Sequence, residues 1–152
     1  MPDNSFTRSI APSGAVKLSS SDAEFVFSRP GRGILLIEAA GHDAGQFGSS
    51  TLDEIASALL RERPLELFVD TRAAVSVAPR VRDEWTGFFS NNRADLIAVH
   101  VLTSSKFVRL AIAVAQLFSK TGNLIRLYSA PTAFEAQLEK ARARTTLPAR
   151  PQ

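Results

Sequence analysis

Between residues 25 and 141 the chain alternates short apolar runs of strand length with longer segments of helical periodicity, and that alternation restricts the folds open to it. "FVF" at 25–27 and "GILLIEAA" at 33–40 flank "SRPGR", whose Pro-Gly step signals a turn, so the pair predicts a β-hairpin. In "TLDEIASALLRER" the residues Leu52, Ile55, Ala56 and Leu59 recur at helical spacing, Thr51 and Glu54 have capping-box spacing, and Pro64 ends the segment. "LELFVDT" reads as a buried strand. "PRVRDEWTGFFSNN" places Val81, Trp85, Phe88 and Phe89 on one helical face behind a first-turn proline, which makes Trp85 a core residue. Strand "LIAVHVL" at 96–102, helix 105–120, strand "LIRLYS" at 124–129 and a helix from Pro131 follow. The order β-β-α-β-α-β-α-β-α calls for an α/β domain: a single, mostly parallel β-sheet with an N-terminal antiparallel hairpin strand, joined by right-handed crossovers and covered by helices.

A length of 152 residues, 45% hydrophobic and 22% charged, fits one domain with one core. Residues 1–20 are Ser- and Pro-rich without apolar periodicity and read as a flexible N-terminal tail, with a short strand at most at its end. Residues 21–143 form the domain, and residues 144–152, with Pro148 and Pro151, read as a second loose tail. The absence of cysteine excludes disulfides, thiolate nucleophiles and cysteine-ligated metals, and makes a cytoplasmic location the default expectation. The start lacks an apolar signal segment, and no run reaches the roughly 18 apolar residues of a membrane span, so an integral membrane protein is not expected.

A net charge of +3 raises the question of nucleic acid. Arg142, Arg144 and Arg150 belong to the tail region, however, and Arg61, Arg63, Arg80, Arg82 and Arg93 are interspersed with Glu62, Asp83, Glu84 and Asp95. Mixed signs of this kind describe a solvated face, so no nucleic-acid partner is expected.

Three stretches carry a resemblance: "ELFVDTR" ahead of the helix with Trp85, "AVHVLTSSKFV" leading into an apolar helix, and "LYSAPTAFEAQL" as closing strand and helix. With the element order, they resemble the STAS or SpoIIAA-like domains, which include the anti-sigma factor antagonists, over residues 24 to about 141. The resemblance implies a SpoIIAA/STAS-like fold and a non-enzymatic protein-protein interaction or regulatory domain that needs no cofactor and no metal. In the family's regulatory members a serine at the start of the helix after this strand, in an Asp-Ser-Ser/Gly-type motif, is phosphorylated by a partner kinase. Here the region reads "TRAAVSVAPRVRDEW"; its single serine, Ser76, lies between Val75 and Val77, and the family motif is absent. A phosphate on Ser76 would sit near a helix N-terminus and Arg72 or Arg80, which would stabilise it. An ordinary loop hydroxyl is the alternative.

Asp70 falls at the carboxyl end of a parallel strand, where open α/β sheets place ligand sites, and where an Asp also commonly accepts amide bonds to start a turn. "LTSSKFV" offers Ser104, Ser105 and Lys106 as an anion cradle or as an ordinary N-cap. In helix 105–120, Phe107, Leu110, Val114, Leu117 and Phe118 form a core stripe, and Val108 with Ile112 form a second apolar row. That second row suits contact with another protein, a second copy of the chain included. An alternative of another class is a small-molecule or lipid carrier, with helix 105–120 and the Phe88–Phe89 pair lining a pocket. A third is a hydrolase-like enzyme using His42 and Asp70, although the loop at His42 and Asp43 has the spacing of no nucleophile, metal or phosphate motif. His100, inside "IAVHVL", reads as a buried strand residue.

Overall fold

The computed structural model describes residues 5–104 and 124–146. The expected hairpin is present, as β3 (Ala23–Gly31) and β4 (Ile34–Asp43), antiparallel with Phe27 opposite Ile37. Gly33, at φ +73°, takes the left-handed conformation that lets the chain reverse. Helix α1 (Ser50–Arg61), strand β5 (Leu65–Val77), helix α2 (Pro79–Asn91) and strand β6 (Leu96–Leu102) follow, but β5 runs six residues past "LELFVDT". Asp70 therefore lies inside the strand and not at its carboxyl end, and Ser76 is a strand residue and not a loop hydroxyl, because residues 73–77 continue to pair with β4. Strand β7 (Ile125–Tyr128) and helix α3 (Pro131–Thr146) close the described chain. Helix 105–120, with Ser105, Lys106, Val108 and Ile112, lies outside the described residues.

Two strands precede the hairpin, β1 (Thr7–Ile10) and β2 (Val16–Ser19), both paired antiparallel to their neighbours. The segment read as a flexible tail therefore contributes two strands to the sheet, one more than the short strand allowed at its end. Its signal is faint because every β1 residue is exposed and the segment contributes a single core side chain, Leu18, 1% exposed. Glu54, read as half of a capping box, instead pairs with Arg8 of β1 at 2.7 Å, while Ser49 is the N-cap of α1. At the other end, α3 runs past the boundary placed at residue 143, to Thr146.

The sheet runs in the order β1 to β7, with β1 to β4 antiparallel and β4 to β7 parallel. "Mostly parallel" is thus corrected to half and half, the extra antiparallel pairs coming from β1 and β2. Because successive parallel strands are laid down on the same side, right-handed crossovers carry α1 and α2 to one face. On that face Leu35, Ile37, Leu67, Val69 and Val99 pack against Ile55 and Leu59 of α1 and Phe89 of α2. Trp85 is half-buried there, stacked on Phe25 at 6.0 Å and edge-on to Phe89 at 5.9 Å. Alternation sends Ile34, Phe68 and Leu102 to the opposite face, against Phe134 and Ala141 of α3.

Leu18→Ala should lower the unfolding free energy by about 2–4 kcal/mol in a urea titration, the cost of an emptied core site. A loss below about 0.5 kcal/mol, typical of a surface position, would show that residues 7–19 do not belong to the folded unit.

Candidate functional site

Beyond Asp70 the sheet narrows to two strands. Strand β5 pairs with β6 only as far as Asp70 opposite Leu102, whereas β4 and β5 stay paired out to Asp43 opposite Val77. Residues 73–77 therefore hydrogen-bond to β4 on one side, and among the described residues no strand lies on the other. The end of β4 is held by Gly41, at φ +83°, where a Cβ would run into the Asp22 carbonyl that accepts the His42 N–H at 2.8 Å. Val75 and Val77 stand 60% and 41% exposed on this ribbon. Between them Ser76 sits opposite His42, its Oγ 2.8 Å from the imidazole Nδ1.

Asp70 is committed to Arg72, two positions on along β5. Its Oδ1 accepts the Arg72 backbone N–H at 3.0 Å, and the Arg72 guanidinium reaches Oδ2 at 2.7 Å. Burial pushes the Asp70 carboxyl up, but the hydrogen bonds and charge of Arg72 outweigh it and hold the group below its usual value. Arg80 is likewise engaged, with Glu84 at 3.4 Å, so both arginines expected near Ser76 have carboxylate partners. Ser104 donates to the Arg72 carbonyl at 3.3 Å.

His42 and Asp70 do not meet. His42 is in register with Ser76, six positions past Asp70 and so about 20 Å further along the strand. The Ser76–His42 contact is of the kind a nucleophile and base share, but a working pair needs a third group to orient the base. The adjacent carboxylate, Asp43, turns inward to accept the Gly45 N–H at 3.0 Å, and burial pushes its pKa up.

On the α3 face the structure assembles four residues that sequence reasoning did not join. Glu66 of β5 accepts from His100 of β6 through Oε2 at 2.7 Å and from Arg144 of α3 through Oε1 at 2.5 Å. The second imidazole nitrogen of His100 meets the Tyr128 hydroxyl of β7 at 2.8 Å, and Phe68 stacks on the ring at 4.4 Å. Burial pushes the Glu66 carboxyl up, yet the His100 hydrogen bond and the charges of Arg144, His100 and Arg126 leave it lowered overall. Burial also raises Tyr128. His100 is buried as expected; its partner Glu66 shows only once β5 and β6 are set in register.

Among solved structures, the chain is similar to an uncharacterized protein of the DUF3478 family with a SpoIIAA-like fold from Shewanella loihica PV-4. The two are 14% identical, with a TM-score of 0.50, over 91% of this chain and 98% of that one. The chain has a SpoIIAA-like fold. Neither a protein-family model nor a curated protein sequence matches it. Within this SpoIIAA-like domain, the cavity between the loop after β4 and helices α1 and α2 is about 10 Å³, room for one water at most. Phe89 is buried in the core and Phe88 packs against it, while helix 105–120, the other wall of the expected carrier pocket, lies outside the described residues. Among the described residues no helix is long and apolar enough to cross a membrane.

Glu66→Ala should destabilise the domain by about 3–5 kcal/mol, because it removes one partner of a buried pair. Folded-state lowering of Glu66 and Asp70 gives stability that is complete above the ordinary carboxylate range of about pH 4 and lost as pH falls through the lowered values. Urea midpoints from neutral to acidic pH should therefore fall less steeply for Glu66→Gln than for wild type; parallel curves would refute the assignment.

Proposed function

We propose that this chain is a non-enzymatic, STAS-like interaction domain that binds a partner protein by strand addition along residues 73–77. The observation that carries the reading is the edge of β5 beyond Asp70, which no strand among the described residues covers, beside exposed Val75 and Val77. An edge strand with β-branched apolar residues and no charge of its own is a template for another chain. The non-enzymatic part rests on the separation of His42 from Asp70, the neutralisation of Asp70 by Arg72 and the inward turn of Asp43.

Ser76 is the regulatory point of this reading. Its hydroxyl is exposed at the middle of the open edge, and phosphorylation would replace the His42 contact with about two negative charges. With Arg72 and Arg80 already paired, that charge finds no unpaired cation among the arginines expected beside it, so it releases a strand partner instead of ordering the loop.

The test is affinity capture by the chain from lysate of its source cells. Val75→Asp with Val77→Lys should abolish capture while unfolding shifts by no more than about 0.5 kcal/mol, since both side chains are exposed. Ser76→Glu should weaken capture and Ser76→Ala preserve it. Identical capture by wild type and the double variant would overturn the proposal.

A further inference from the structure

At the opposite end of the sheet, where the parallel strands begin, the β1–β2 turn, the β3–β4 turn, the end of α1 and the last turns of α3 surround an open cleft. Its volume is about 1480 Å³, larger than the roughly 300–1,000 Å³ of usual small-molecule sites. Among the described residues every cation lining it is an arginine: Arg29, Arg32, Arg61, Arg63 and Arg144. Two carboxylates, Glu62 and Glu66, share the lining.

Those carboxylates are spoken for. Glu62 pairs with Arg29 and also accepts the Gly33 N–H at 2.6 Å, which fixes the β3–β4 turn. Glu66 holds Arg144 from the buried His100 network, and Arg63 leans towards Asp95 at 3.8 Å. Arg61 touches only the Ser57 hydroxyl, at 3.2 Å, and among the described residues neither Arg61 nor Arg32 has a carboxylate partner. Here the pairing leaves the exposed Arg32 and Arg61 as an excess of guanidinium charge at an open cleft, where clustered charge of one sign raises the local potential.

Guanidinium forks recognise oxyanions in bidentate fashion, which lysines do not. Several negative charges within one compact group match the arginine excess of the cleft, to which Arg32 and Arg61 both contribute, and an oligophosphate supplies them, whereas a carboxylate carries a single charge. Beside them Ile97 is 48% exposed at the cleft, and Pro30 and Pro64 add apolar surface for an organic portion of the ligand. We propose that this cleft binds an organic oligophosphate of nucleotide size, with Arg32 and Arg61 as the primary phosphate ligands. The site is independent of the β5 edge, which lies at the other end of the sheet.

Calorimetric titration of the full chain with sodium tripolyphosphate and with ATP, both in EDTA, tests it. Both should bind, more weakly at higher salt. Arg32→Glu with Arg61→Glu should weaken both at least tenfold, the scale of a lost charge-assisted hydrogen bond, with circular dichroism unchanged. Arg82→Glu, a charge change on α2 outside the cleft, should stay within about twofold of wild type. Ile97→Ser should weaken ATP but not tripolyphosphate. Should the double variant fail to fold, Arg32→Ala on the exposed turn serves in its place. Absence of binding at millimolar concentration, equal losses in Arg82→Glu and the cleft variants, or tighter binding of hexaglutamate than of tripolyphosphate would overturn the proposal.

Discussion

The parallel pairing of β4 with β5 is the interaction on which the rest of the molecule depends. It is the ladder along which the antiparallel half of the sheet joins the parallel half, from Ile34 opposite Glu66 to Asp43 opposite Val77. Its register decides which side chains face α1 and α2 and which face α3, because a slip of one residue would exchange the two sets. Leu67 and Val69 then enter the larger core while Glu66, Phe68 and Asp70 turn to the other face. The same ladder runs on after the β5–β6 pairing has ended, and that overhang leaves residues 73–77 with no second strand among the described residues.

The two ends of the sheet consequently differ in chemistry. The carboxyl end offers an edge that no strand among the described residues covers, with exposed valines, a surface suited to main-chain pairing and apolar contact. The amino end offers guanidinium groups around a concavity, a surface suited to anions. Between them the Glu66–His100–Tyr128 chain crosses β5, β6 and β7 on the α3 face, and Arg144 ties the helix to it. Buried polar groups without partners would be costly at these positions, so the network enforces the register and the docking of α3 together.

Much of this frame was legible in the sequence. The Pro-Gly turn and the flanking apolar runs located the hairpin, and the spacing of Ile55 and Leu59 and of Val81 and Phe89 located two helices by their buried faces. Strand β1 was missed because a strand exposed on both faces carries no alternation, and of β2, the short strand allowed at the end of the tail, only Leu18 is buried. At the candidate site, Asp70 and Arg72 were singled out separately, and their pairing follows from strand geometry, since residues two apart on a strand share a face. The contacts of Ser76 with His42 and of Glu66 with His100 join residues 34 positions apart, and only strand register brings such residues together. The arginine cleft was hidden for the same reason: its charges come from three separate turns and helix ends, each of which reads alone as a solvated mixture.

Hydrogen exchange of the free chain, resolved by segment, tests the overhang most directly, since an amide is protected only while its hydrogen bond is made. Residues 65–70, paired on both sides, should exchange with the slowest class, and residues 73–77, paired on one side, should exchange markedly faster. Addition of a captured partner should then slow 73–77 selectively. Equal, strong protection of both segments in the free chain would show that the edge is already covered, and would contradict the account.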